Sequence, residues 1–125
     1  MMPALVNGDH ILVDTKPENL TRGDIILFYD PIKNENAVCR IIGLSGDKII
    51  VENNKVYVNE QLLNESYVAP ENSQQNKRPG TYQVMLNEYF VLGDNRDHSK
   101  DSRVYGSISK NTIIGKYYST LFNSE

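Results

Sequence analysis

The residues with the clearest potential for chemistry lie in a polar run that directly follows an apolar segment. Residues 92–103 read Leu-Gly-Asp-Asn-Arg-Asp-His-Ser-Lys-Asp-Ser-Arg, with acids and bases evenly interleaved. The carboxylates of Asp94 and Asp101 can each accept two hydrogen bonds from one guanidinium group. Arg96 and Arg103 supply two such groups, and bidentate pairs of this kind hold a backbone in one shape. We therefore expect a rigid polar loop at a strand end, where binding and catalytic groups often lie.

The same run resembles the last signature box of the type I signal peptidases, membrane-bound serine proteases that remove leader peptides. The family pattern of Gly-Asp-Asn-Arg, two residues, Ser, one residue and Asp-Ser-Arg is met without a gap, and a long motif gains weight from its context. Three further segments resemble family boxes in the family order. They are the nucleophile box without its first residue (1–5), the Gly-Asp strand box (22–28) and the box that begins Lys-Arg in the family (40–47). The resemblance implies a mainly β, signal-peptidase-like fold, shared with repressor-type autoproteases, with a small inserted β lobe.

Signal peptidases of this type use a serine nucleophile and a lysine general base, and both positions depart from the family pattern. By resemblance the serine would fall directly before Met1, and the lysine position is Cys39. A sheltered lysine can become a neutral amine that accepts a proton, whereas a thiol in apolar surroundings stays neutral. We therefore expect no intact Ser–Lys pair in this chain.

Cys39 could instead be the nucleophile of a Cys–His pair with His98, which lies in the polar loop. The simpler interpretation is that Cys39 is a small buried strand residue. We favour it because the neighbouring residues are largely apolar and a free cysteine behaves as a hydrophobic side chain.

The resemblance implies that the remaining site residues preserve its shape. Ser99 would lie beside residue 39, and Arg40 would pair with one of the acids of the loop. An extended peptide would bind along residues 2–5 and 36–42, through main-chain hydrogen bonds and small apolar pockets. The expected peptide-binding residues are Met2, Pro3, Leu5 and Val38. The expected structural framework consists of Arg40, Asp94, Asn95, Arg96, Asp101, Ser102 and Arg103.

Short β-branched runs separated by turn residues predict the strands that must position these groups. The runs cover 11–13, 24–28, 38–44, 48–51, 55–58, 61–63, 81–85, 88–92 and 113–118. Asn53-Asn54 suits a type I′ hairpin turn, Asn59-Glu60 suits a second reversal, and one helical turn is expected near 109–112. We expect a signal-peptidase-like core domain (1–52 plus 89–125) and an inserted β lobe (53–88) with a flexible loop near 66–80.

Composition argues against several classes of function. The chain has 125 residues, a mass of 14.2 kDa, a net charge of −3 and a pI of about 5.4, so it lacks the basic surface that nucleic acid binding needs. One cysteine excludes an internal disulfide, and neither His10 nor His98 has a second ligand at a metal-binding spacing. We expect no metal and no cofactor. No run approaches the ~20 apolar residues of a membrane span, so a membrane anchor would lie outside this segment.

With its Ser and Lys positions altered, the chain resembles the signal-peptidase-like proteins of Gram-positive pilus gene clusters, and this resemblance implies an accessory protein or chaperone of pilus assembly. It would lie at the extracellular face of the cell membrane and bind pilin or another secreted precursor in a retained groove. The alternative is an active type I signal peptidase, seen here as a truncated or altered chain. A DNA-binding repressor-type autoprotease is disfavoured, because the chain is acidic and has no DNA-binding helical segment.

Overall fold

The computed structural model describes residues 10–15, 19–30, 33–52, 55–68, 80–96 and 101–122. The mainly β fold expected from the sequence is confirmed, and each predicted run overlaps a strand. The strands are β1 (His10–Asp14), β2 (Ile25–Asp30), β3 (Glu35–Gly43), β4 (Lys48–Glu52), β5 (Lys55–Val58), β6 (Gln61–Leu62), β7 (Gly80–Gln83), β8 (Glu88–Leu92), β9 (Ile108–Ser109) and β10 (Ile113–Phe122). The helical elements are α1 (Ser102–Tyr105) and a 3₁₀ turn (Lys110–Thr112).

The strands form two antiparallel sheets. The larger sheet has the order β1-β10-β2-β3-β8-β9, and the smaller one has the order β6-β5-β4-β7. β4, which the sequence-based division placed in the core domain, pairs with β5 and β7 in the smaller sheet. The division of the chain into two domains stays a prediction.

Two apolar cores lie on opposite faces of β3 and β8. Ile41 and Val91 point into the first core, and Ile42 and Phe90 point into the second. Strands buried on both faces have nearly continuous apolar sequences, which explains the unbroken run Tyr-Phe-Val-Leu before the polar loop. The first core comprises Ile26, Phe28, Cys39, Ile41, Val91 and Ile108. The second comprises Ile42, Ile49, Val51, Val56, Val58, Val84, Phe90 and Leu92.

Gly43 ends β3 where the chain passes from the larger sheet to the smaller one. A Cβ atom at this position would lie 2.8 Å from Ile49 Cδ1 and 3.1 Å from Val84 Cγ2. Real Cβ atoms do not approach neighbours this closely, so the absence of a side chain allows the two sheets to pack together.

The predicted turns agree with the structure where it describes them. Asn59 and Glu60 have φ values of 50° and 72° and join β5 to β6, as expected for a tight hairpin reversal. The helical turn expected near 109–112 is the 3₁₀ turn. The predicted Asn53-Asn54 turn and most of the predicted loop near 66–80 lie outside the described residues.

Helix α1 was not predicted from the sequence. This helix has only four residues, which is too short for a 3.6-residue period to show. It begins because Asp101 accepts a hydrogen bond from the backbone N–H of Arg103, and it ends at Gly106, whose φ is 80°. In the described part of the chain, no helix is long and apolar enough to cross a membrane.

Candidate functional site

The polar loop between β8 and α1 is closed by hydrogen bonds to its own backbone. The Gly93 N–H donates to Asp101 Oδ2 at 3.0 Å, and the Val91 N–H donates to Ser102 Oγ at 2.9 Å. Arg96 Nε donates to the Gly93 carbonyl at 2.7 Å. Because these groups are buried, the bonds form away from water and hold the loop in one shape.

Asp101 and Arg103 form the bidentate pair expected from the sequence. Arg103 Nε and Nη2 lie 2.9 Å from the two carboxylate oxygens, and Nη2 also donates to the Arg96 carbonyl at 2.9 Å. The Asp101 side chain is fully buried, and that of Arg103 is 7% exposed. This pair joins the start of α1 to the loop.

Asp94 pairs with Arg40, as expected for one of the loop's acids, and not with the neighbouring Arg96. Arg40 Nε and Nη2 lie 2.9 and 2.7 Å from the two oxygens of Asp94, whose side chain is fully buried. Arg40 Nη1 donates to the Gly23 carbonyl at 2.9 Å. The guanidinium also lies over the Tyr67 ring, 4.0 Å from its centroid, a cation–π geometry.

Arg96 corrects the expectation that it pairs with an acid of the loop itself. Its guanidinium binds Glu65, which lies between β6 and β7 of the smaller sheet. Both side chains are largely buried. The polar loop of residues 92–103, which we call the motif loop, is therefore bound from outside by Arg40 of β3 and by Glu65.

Cys39 lies in the middle of β3, opposite Ile26 of β2, and is 4% exposed. Burial, and after it the negative charge of Asp101, raises the pKa of the thiol to about 12. Tyr105 of α1 packs against the same core cluster, and burial together with the nearby Cys39 raises its pKa as well. Neither group can accept a proton as a base at neutral pH, so the buried-strand interpretation fits Cys39 better than a nucleophile.

The other predicted site residues divide between described and undescribed parts of the chain. Asn95 is buried within the loop, and Val38 is half-buried in β3 opposite Leu27. The remaining predicted residues, which are Met1, Met2, Pro3, Leu5, His98 and Ser99, lie outside the described residues.

Three residues near the site were not predicted from the sequence: Glu65, Tyr67 and Tyr105. Glu65 and Tyr67 lie more than 20 residues along the sequence from the arginines that they contact. A local sequence pattern does not indicate contacts between residues so far apart in the chain. The only available signal was that the loop's buried arginines need acidic partners. Tyr105 belongs to the short helix that the sequence pattern did not show.

The arrangement offers charge pairs but no metal-binding group. Among the described residues, no cluster of three or more His, Cys, Asp or Glu side chains could hold a metal ion. The carboxylates of Asp94 and Asp101 are already occupied by guanidinium groups and backbone amides. The Asp94 and Asp101 carboxylates therefore stabilise the conformation of the site. Any catalytic acid, base or nucleophile must be a different residue.

Comparisons with known proteins agree with the motif resemblance. The family model described as signal peptidase, peptidase S26, matches residues 1–122. Signal peptidase IB of Staphylococcus aureus is 34% identical over 134 residues, which cover 93% of this chain and 70% of that protein. Signal peptidase I U of Bacillus subtilis is 37% identical over 126 residues, covering 92% and 67%. The crystal structure of a signal peptidase I from Enterococcus faecalis matches with a TM-score of 0.69 and 30% identity, over 78% of this chain and 96% of that one.

Proposed function

Because this chain belongs to the signal peptidase family, peptidase S26, we propose that it recognises the leader-peptide region of secreted precursor proteins. The observation that carries the proposal is the family match along nearly the whole chain, together with the buried Arg40–Asp94 and Asp101–Arg103 pairs that hold the motif loop. The proposed location is the extracellular face of the cell membrane, where such precursors emerge.

The free edge of β3 supports binding of an extended peptide. Residues 35–39 pair with β2 on one side, and the pairing with β8 on the other side begins only at Arg40. Within the described part of the chain, no strand pairs with that second edge of residues 35–39. An exposed edge of this kind binds extended peptides by main-chain hydrogen bonds. The small side chains of Ala37 and Val38 are half-buried, which suits shallow apolar pockets beside it.

The comparisons favour leader-peptide cleavage over the accessory role that the sequence alone suggested. The matched relatives are named signal peptidases, and the buried framework of the motif loop is present. In this version the chain acts as a type I signal peptidase and cleaves the leader peptide.

One observation favours recognition without cleavage, as in an accessory factor that binds pilin precursors during pilus assembly. The residue at the position of the family's lysine base is a buried thiol whose pKa is raised to about 12. A group that holds its proton at neutral pH cannot remove one from a serine. In either version, residue 39 itself takes no part as a base.

A cleavage assay separates the two versions, because only the version with leader-peptide cleavage expects the parent, once the serine is present, to cleave the peptide. The parent, Cys39→Lys and Cys39→Ala are each prepared with a serine directly before Met1 and mixed with a synthetic leader peptide. All three should bind the peptide, and Cys39→Lys should cleave it at least about 100-fold faster than the parent, the scale of a general base. Cys39→Lys without the added serine should not cleave it.

Two results would overturn parts of the proposal. If the parent cleaves the peptide and Cys39→Ala does not, then the thiol acts in catalysis and the account of residue 39 is wrong. If folded parent protein fails to bind any leader peptide, then the recognition function itself is wrong.

A further inference from the structure

Residues 65–67, which we call the clamp segment, contact two arginines of the site although they lie between β6 and β7 of the smaller sheet. Glu65 pairs with Arg96, and the Tyr67 ring lies under the Arg40 guanidinium. Tyr67 also packs against the core of the smaller sheet. The segment thus contacts the motif loop through Glu65 and β3 through Tyr67.

The contact of Tyr67 adds to the hydrogen bonds that hold the Arg40 guanidinium. All three of its nitrogen atoms donate hydrogen bonds: Nε and Nη2 donate to Asp94, and Nη1 donates to the Gly23 carbonyl. The aromatic ring covers a flat face, at 4.0 Å from the ring centroid. A guanidinium that is bonded in its plane and stacked on a ring has one orientation, and the position of Asp94 depends on it.

The contact of Glu65 extends through Arg96 to the neighbourhood of residue 39. Arg96 donates to the Gly93 carbonyl, and its own carbonyl accepts a hydrogen bond from Arg103. Arg103 in turn holds Asp101, whose charge acts directly on Cys39. A continuous series of polar contacts therefore runs from the clamp segment to Asp101, and Asp101 acts on the thiol through its charge.

We propose that Glu65 and Tyr67 are positioning residues that hold the motif loop over residue 39 and keep the peptide-binding edge of β3 in shape. The part that concerns peptide binding rests on the proposed function. The part that concerns the loop does not, because it is a statement about the conformation of residues 93–96 and 101.

The single cysteine of the chain provides a readout that is independent of any peptide. In the closed loop Cys39 is buried and protonated, so a small alkylating reagent should modify it only during local opening. The experiment measures the alkylation rate of Cys39 at pH 8 and 25 °C, the Kd for a synthetic leader peptide, and the melting temperature. The variants are Glu65→Gln, Tyr67→Leu and Tyr67→Phe, with Arg22→Gln as a control.

Arg22→Gln removes a different ion pair, to Asp47, in which the arginine side chain is 44% exposed and which includes no residue of the motif loop. Tyr67→Phe keeps the ring under Arg40. We expect Glu65→Gln and Tyr67→Leu to raise the alkylation rate about tenfold, which corresponds to about 1.4 kcal/mol of local opening free energy. The peptide Kd should rise by a similar factor, while Tyr67→Phe and Arg22→Gln keep the parent rate and Kd.

The possible failures are distinguishable. Unchanged alkylation in Glu65→Gln and Tyr67→Leu would overturn the positioning role, even if the parent binds the peptide. An equal rise in Arg22→Gln would also overturn it, because general destabilisation would then explain the effect. If the parent does not bind the peptide but the two variants expose Cys39, the proposed function fails and the positioning role of the clamp segment stands.

Discussion

At the scale of single residues, the site depends on two fully buried carboxylates that meet arginines from different parts of the chain. Asp94 binds Arg40 of β3, and Asp101 binds Arg103 of α1. Taking charges out of water is costly, and the attraction between them repays the cost only when the geometry is good and the remaining hydrogen bonds are satisfied. Both conditions are met here, so we interpret the pairs as devices that fix the shape of the loop.

Removing one partner of the Asp101–Arg103 pair should be strongly destabilising. Asp101→Ala leaves a buried guanidinium and two backbone amides without their acceptor, and Arg103→Ala leaves a buried carboxylate. We expect each to lower the free energy of unfolding by about 3–5 kcal/mol, measured by urea denaturation at pH 7.

The control for this prediction is Lys116→Ala, which removes an ion pair to Asp24 whose lysine is 38% exposed and 3.4 Å away. An exposed pair contributes under about 1 kcal/mol, so this variant should stay close to the parent. If Asp101→Ala costs no more than Lys116→Ala, the loop is merely solvated and the interpretation of the pair is wrong.

At the scale of elements, the strands could be predicted from sequence because their signals are local. Alternating or continuous β-branched runs mark them, and turn residues such as Asn59 and Glu60 mark their ends. The contacts of the clamp segment could not be predicted, because Glu65 meets Arg96 only after two sheets have formed. The motif identified the loop's residues, but their partners depend on tertiary structure.

The turn between β3 and β4 makes a second buried charge site, around Asp47. Its carboxylate accepts hydrogen bonds from the Leu44 N–H at 2.8 Å, from Asn59 Nδ2 at 2.9 Å and from the Arg22 guanidinium at 2.7 Å. Burial alone would raise the pKa of this carboxyl group, but the Leu44, Arg22 and Asn59 donors hold the pKa below its ordinary value. The turn is therefore stabilised by the ionised form.

This lowered pKa predicts a loss of stability in acid. A carboxyl group whose pKa is lower in the folded than in the unfolded chain contributes stability above the unfolded value, about 4. That contribution is lost as the pH falls through the folded value. Asp47→Asn should lower the free energy of unfolding by about 2 kcal/mol at pH 7, the scale of hydrogen bonds to a charged group. The difference from the parent should shrink below about pH 4.

Urea denaturation of parent and Asp47→Asn between pH 7 and pH 3 checks this expectation. Glu60→Gln, which alters an exposed acid in the neighbouring turn, is the matched control and should show no such convergence. A stability difference for Asp47→Asn that stays constant down to pH 3 would contradict the assigned role of the ionised carboxylate.

At the scale of the whole molecule, β3 and β8 serve both cores and both carry the site. Ile41 and Ile42 enter different cores, and the adjacent residues Cys39 and Arg40 are the site's thiol and its central cation. Strand β3 therefore contributes to both cores and also positions the functional groups of the site. The sequence predicted the fold class and the family because motifs and strand signals are short-range, whereas the protonation state of residue 39 depends on burial that only the folded structure shows.

The buried thiol of Cys39 holds its proton at neutral pH and cannot act as a base. An NMR titration of Cys39, the only cysteine, in protein labelled with ¹³C at cysteine Cβ measures this protonation state. We expect an ionisation midpoint near the raised pKa of about 12, with no change in chemical shift near neutral pH. A midpoint at or below about 8.5, the ordinary value for a cysteine, would contradict the claim and would make the thiol a candidate catalytic group.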